Sequence, residues 1–132
     1  MRATAKWSSQ LQFSGTGNGG HSVLMDGDNK KGNSPMELVL IALCGCTAYD
    51  VVSILQKKRE PFTAVEVSAE AEKAPDPPRV FTDIKLQYRV VGKVARKAVE
   101  DAVRLSEEKY CSVAAMLNKT ARITYEIRLD EA

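Results

Sequence analysis

The sequence predicts an α+β fold in which an antiparallel sheet packs on one long central helix. Three observations carry that expectation. Stretches that alternate apolar and polar residues come in pairs joined by polar loops, as antiparallel hairpins do. One long, mostly apolar run begins at a Ser-Pro pair and ends before Glu60-Pro61. The element order βββ-α-ββ-α-α-β also lacks the regular strand–helix alternation of a doubly wound parallel sheet.

The chain is expected to form a single domain over residues 1–132, with strands and a loop over 1–33. Ala3, Ala5 and Trp7 alternate with Arg2, Thr4, Lys6 and Ser8. SGTGNGG reads as a flexible turn, followed by a short strand around His21 to Met25 and a polar loop, DGDNKKGN. Ser34-Pro35 is a helix start, because serine caps and a proline at the first position gives up no needed N–H. The helix should span 34–59 and stop at Glu60-Pro61.

A strand pair follows over 61–91. Val65, Val67, Ala69 and Ala71 alternate with Glu66, Ser68, Glu70 and Glu72, then Val80, Thr82, Ile84, Leu86, Tyr88 and Val90 form the second, antiparallel strand after the rigid APDPPR loop. Helices are expected over 93–119. Val94, Ala95, Ala98, Val99, Ala102, Val103 and Leu105 mark an amphipathic one, and a second, about Tyr110 to Lys119, carries Cys111. Ile123, Tyr125, Ile127 and Leu129 alternate in a last strand over 121–130.

The 132 residues suit one core, and 27% charged with 44% hydrophobic residues excludes a disordered chain. A net charge of +2 arises from 19 basic and 17 acidic residues mixed throughout, so neither nucleic acid nor an anionic membrane is an expected partner. The N-terminus lacks the apolar run of a secretory signal, and the charge-free stretch Leu38 to Tyr49 is short for a bilayer. A cytoplasmic protein with reduced thiols is therefore expected. One histidine and the spacing of Cys44, Cys46 and Cys111 give no metal pattern, so neither a metal nor another cofactor is expected.

Around the long helix, Cys46 shares a face with Val39, Ala42, Leu43, Tyr49, Asp50, Ser53 and Lys57, while Leu40, Ile41, Cys44, Val51, Val52 and Leu55 lie opposite. Both faces are apolar over the central turns, and a helix apolar all round needs cover on every side. A dimer, in which the helix meets both the sheet and a partner subunit, is the simplest remedy. Cys44 and Cys46 stand about 200° apart, so only one can face a given pocket. Cys44 sits among aliphatics, as packing residues do, and Cys46 sits beside polar residues, as a pocket lining does. From the residues alone each cysteine still reads first as a small core residue, since free cysteine is among the most buried types.

Ser34-Pro-Met-Glu-Leu, Cys46 nine positions beyond Glu37, and Lys109-Tyr-Cys-Ser-Val together resemble the OsmC/Ohr family of osmotically inducible and organic hydroperoxide resistance proteins. GHSVLMDG, SPMELVLIALCGCTAYDVVSIL and EKYCSVAAML are most similar to its YhfA-like branch. The resemblance spans nearly the whole chain. It implies an intertwined α+β homodimer and thiol-dependent reduction of organic hydroperoxides, with an external dithiol as reductant. By position it implies that Cys46 is the peroxidatic cysteine and Cys111 the resolving one.

In better-known members an arginine from the N-terminal strands and a glutamate directly after the helix-start proline assist. Here Met36 follows Pro35, the acid comes one later at Glu37, and no arginine lies between Arg2 and Arg59. Arg79, Glu37 and His21 are the candidates for a supporting role. Because Cys46 lies mid-helix, a nearby cation is the expected means of forming its thiolate. The alternative function is a non-catalytic dimer on the same fold that binds a small ligand or senses redox state.

Overall fold

A computed structural model describes residues 1–131, which divide into two compact units, one over 1–41 and the other from Ala42 onward. The fold is mixed α+β with two small sheets.

The first unit is a three-stranded antiparallel sheet in the order β1 (Ala3–Ser9), β2 (Gln12–Gly17), β3 (Ser22–Asp26). Ser14 to Gly17, expected in a turn, instead belong to β2, where Gly15 pairs with both Ala5 and Val23. Pairing on both sides satisfies a backbone whose glycines give no strand signal of their own. The sheet has almost no core: β1 is exposed along its whole length, and Trp7 is 66% exposed. After β3 the chain is held by the buried Asp26 carboxylate, which accepts the N–H groups of Asp28 (2.9 Å), Lys30 (3.3 Å) and Lys31 (3.0 Å). Those donors, Lys31 foremost, hold its pKa below the usual carboxylate value.

Helix α1 (Pro35–Lys57) opens with a capping box. Ser34 N–H donates to Glu37 Oε1 at 2.8 Å, and Glu37 N–H donates to Ser34 Oγ at 3.2 Å. It closes where Arg59 turns left-handed (φ 56°), with Glu60 N–H donating back to the Leu55 carbonyl. At 23 residues, with mean hydropathy 2.2 over its most apolar window, α1 is long and apolar enough to cross a bilayer, which corrects the estimate from its charge-free stretch. In the second unit it behaves as a core helix along one stripe, burying Leu43, Thr47, Val51 and Leu55 at intervals of four.

The second unit contains β4 (Phe62–Lys73), β5 (Phe81–Gly92) and β6 (Arg122–Asp130) as one sheet. β4 and β5 pair antiparallel, as the alternation predicts. β6 pairs parallel to β5, with Ile84 opposite Ile123 and Tyr88 opposite Ile127, so this sheet is mixed rather than antiparallel. The reason is the connection: β5 leads into α2 (Arg96–Leu105), a π-helical turn (Ser106–Tyr110) and α3 (Ser112–Leu117), a crossover long enough to return the chain in the same direction.

The core lies on the inward phase of β5 (Ile84, Leu86, Tyr88, Val90) and the apolar face of α2 (Ala98, Val99, Ala102, Val103). A bulge opposite Glu72 and Lys73 shifts that phase, so Phe81 is buried and Val80 is left exposed.

Gly92 ends β5 at φ +134°, where a Cβ would stand 2.6 Å from the Pro61 carbonyl oxygen and 2.9 Å from Phe62 Cα. Gly92→Ala is therefore expected to lower stability by about 1–3 kcal/mol through backbone strain. A shifted denaturation midpoint at unchanged m-value is the readout. An unshifted midpoint would mean that the strand crossing yields at no cost.

Candidate functional site

Two thiols from distant parts of the second unit come together: Cys46, midway along α1, and Cys111, between the π-helical turn and α3. Cys111 is not inside a helix, as expected for Tyr110–Lys119, but is the N-cap of α3 with extended backbone (φ −74°, ψ 103°). Its N–H donates to the Ser106 carbonyl at 2.9 Å, closing the π-helical turn, and its Sγ accepts the Ala114 N–H at 3.4 Å. A thiol thus does the work of the usual capping hydroxyl.

The surroundings push the two thiols in opposite directions. Burial opposes ionisation of Cys46, but donors outweigh it: the Val113 N–H, the Cys111 thiol and the Ser112 hydroxyl all point at its sulfur. The net effect lowers its pKa, against the opposing charge of Asp50. The cation expected from sequence is not among the groups that act most strongly on this sulfur. Neutral donors at the start of α3 take its place. Cys111 is buried, and desolvation together with its hydrogen bond to Cys46 pushes its pKa up to about 12. Cys44, half-buried on another face of α1, is raised by burial, in keeping with packing.

Tyr49, Asp50, Ser53 and Lys57, which the helical wheel put on the Cys46 side, line one groove with Leu105 and Tyr110, about 460 Å³ in volume. Tyr49 follows Cys46 by less than a turn, and Tyr110 directly precedes Cys111.

A polar line that sequence reasoning missed joins α1, β5 and the π-helical turn. Thr47 Oγ1 is 2.6 Å from Tyr88 Oη and 2.7 Å from Ser106 Oγ. Tyr88 Oη bonds Glu107 Oε1 at 2.5 Å, and Ser106 Oγ bonds Asp50 Oδ2 at 2.8 Å. Tyr88 carried a usable signal: a tyrosine on the buried phase of a strand must find a partner for its hydroxyl. Thr47, Ser106 and Glu107 carried none, because their partners are distant in sequence.

The three supporting candidates are placed as follows. Arg79 is exposed, its Nε donating to the Pro75 carbonyl of its own loop at 3.3 Å, and it is not among the groups that most shift Cys46. Glu37 belongs to the first unit and closes the capping box of α1. His21, also in the first unit, is exposed at the β2–β3 turn beside Ala3, Ala5, Val23 and Met25.

Comparison with known proteins fits this arrangement to a family. Residues 27–126 match the OsmC-like protein family. The chain belongs to it. Protein YhfA of Escherichia coli K12 is 49% identical over 127 residues, 95% of each chain. A hypothetical protein from Aquifex aeolicus is 33% identical with a TM-score of 0.85, covering 98% of this chain and 97% of the other. An organic hydroperoxide resistance protein OsmC from Legionella pneumophila shares the fold at a TM-score of 0.72 and 12% identity, over 96% and 95% of the two chains. The YhfA-like resemblance read from the cysteine helix therefore holds, and the OsmC-like chain shares its fold with an organic hydroperoxide resistance protein.

Proposed function

We propose that this OsmC-like protein is a thiol-dependent peroxidase that reduces organic hydroperoxides to alcohols, with Cys46 as nucleophile and Cys111 as resolving thiol. The observation that carries the reading is the closeness of Cys46 and Cys111, near enough for each to shift the other, with one thiol eased toward thiolate and the other held protonated. An ordinary cysteine, with pKa ~8.5, is only a few per cent thiolate at neutral pH, so donors at Cys46 raise the reactive fraction directly.

The Cys46 thiolate attacks the distal oxygen of ROOH, the O–O bond breaks, and Cys46 becomes a sulfenic acid as RO⁻ leaves to be protonated. Cys111 then attacks the sulfenic sulfur, an S–S bond forms, and hydroxide leaves with the thiol proton as water. An external dithiol returns both cysteines to thiols. The groove lined by Tyr49, Asp50, Leu105 and Tyr110, of which the first two share the Cys46 side of α1 and the last directly precedes Cys111, suits a substrate with a hydrocarbon part.

The same reading makes the protein a cytoplasmic homodimer. Its support is exposed apolar surface: Tyr49 is 74% exposed, Ile41 is half exposed, and β1 is covered nowhere.

The deciding experiment treats reduced protein with one equivalent of cumene hydroperoxide and maps disulfides by mass spectrometry, with hydrogen peroxide in parallel. A Cys46–Cys111 bond that forms faster with the organic peroxide is expected. Free thiols after long exposure would sink the peroxidase reading.

A further inference from the structure

Glu107, Tyr88, Thr47, Ser106 and Asp50 form one continuous line of side chains with four contacts of 2.5, 2.6, 2.7 and 2.8 Å. All four are hydrogen-bond distances for oxygen pairs. The three hydroxyls in the line own three protons. With both carboxylates ionised, Tyr88 points its proton at Glu107 and Ser106 points its proton at Asp50. Thr47 is then left with one proton for two oxygens, at 2.6 and 2.7 Å. One of those contacts would set lone pair against lone pair. Thr47, Tyr88 and Ser106 are fully buried, so water is poorly placed to supply the missing donor. A fourth proton, on either carboxyl, completes every contact.

We propose that this line holds one carboxyl proton in the reduced protein and delivers it through Asp50 to the alkoxide released when Cys46 attacks a hydroperoxide. The proposal rests on the peroxidase reading above. Asp50 is the end of the line that reaches the substrate groove, beside Tyr49 and Tyr110, and its charge acts on both Cys46 and Cys111. Lys57 and Lys58 are the other charged groups that line that groove, with the phenols of Tyr49 and Tyr110. Glu107 is the other end, half-buried, and burial raises its pKa against the opposing bond from Tyr88, which favours a protonated carboxyl at that end.

The transfer balances. Glu107 gives its proton to Tyr88, Tyr88 to Thr47, Thr47 to Ser106 and Ser106 to Asp50. Asp50 passes one proton to RO⁻, which becomes ROH. Glu107 is left as carboxylate and is recharged from solvent. The line consumes no electrons. Asp50 is the group that meets the leaving oxygen, and the other four are positioning residues that act through it.

The test pairs two reactions of Cys46. Peroxide attack releases an alkoxide that needs a proton, whereas alkylation by iodoacetamide releases iodide, which needs none. Glu107→Gln keeps an N–H that can bond Tyr88 and hold the line, but it has no proton to release. It is expected to slow oxidation of Cys46 by cumene hydroperoxide at least about tenfold, short of the roughly 10²–10⁴-fold that positioned proton transfer supplies, with alkylation within about twofold of the parent protein. Tyr88→Phe, which interrupts the line, should behave alike.

Infrared spectra of the reduced protein at neutral pH should show a protonated carboxyl band that Glu107→Gln removes. Equal loss of both reactions, or no such band, overturns the proposal. If the parent protein consumes no peroxide, the peroxidase reading falls and delivery to an alkoxide falls with it. The band then still decides whether the line stores the proton.

Discussion

Cys46→Ser is expected to abolish peroxide consumption, while Cys111→Ser consumes one equivalent per chain and stops as a sulfenic acid. The asymmetry follows from the site. A serine hydroxyl at position 46 is not ionised near neutral pH, so the donors from Val113, Cys111 and Ser112 would have no thiolate to stabilise. At position 111 a serine hydroxyl can still donate to Cys46 as the thiol does, so the first step survives. The second cannot occur, because no sulfur remains to condense. Stoichiometric peroxide loss, with dimedone trapping of Cys46 followed by mass spectrometry, separates the two variants. Continued turnover by Cys46→Ser would remove Cys46 from the chemistry altogether.

Thiol labelling offers a prediction of comparable size that needs no peroxide. With its pKa pushed up to about 12, Cys111 is thiolate to only about 10⁻⁵ at pH 7. Cys46, shifted below the ordinary thiol value, is far more ionised than that. Iodoacetamide should therefore mark Cys46 long before Cys111, and before Cys44, which burial also raises.

The pH profile fixes the signs. Labelling of Cys46 rises with pH and levels off above its lowered pKa, whereas Cys111 remains protonated over that range. Cys111→Ala removes a donor to the thiolate and moves the Cys46 profile to higher pH. Asp50→Asn removes an opposing charge and moves it to lower pH. Labelling rates by mass spectrometry across the pH range are the check. Equal rates at all three cysteines would contradict the electrostatics described here.

The elements that were legible in the sequence are those whose causes are local. The Ser34-Pro35 start and the stop before Glu60-Pro61 placed α1 to within two residues at its C-terminal end, because caps and prolines act on their own turn of chain. The alternation of Val65 to Ala71 and of Ile84 to Val90 placed β4 and β5 with their inward faces, because strand periodicity belongs to the strand itself. The helical wheel grouped Tyr49, Asp50, Ser53 and Lys57 as one lining for the same reason. The match of Cys46 and Cys111 came from motif resemblance rather than from any physics of the isolated segments.

Tertiary structure decided what depends on a partner elsewhere in the chain. The parallel pairing of β6 with β5 is set by the crossover between them, and the bulge that buries Phe81 instead of Val80 is set by pairing against β4. The buried line joins Thr47 to Tyr88 and Ser106, 41 and 59 residues away, so no window of sequence contains it. The activation of Cys46 is of the same kind. Sequence asked for a cation, because a mid-helix thiol gains little from its own backbone. The fold instead brings it the Val113 N–H and two side-chain donors from a segment more than sixty residues later. The sequence by itself determined that α1, β4, β5 and α2 form, and how β4, β5 from Ile84 onward and α2 face. Only the packed chain determined which groups meet the sulfur, since a hydrogen bond depends on positions fixed to tenths of an ångström across the core.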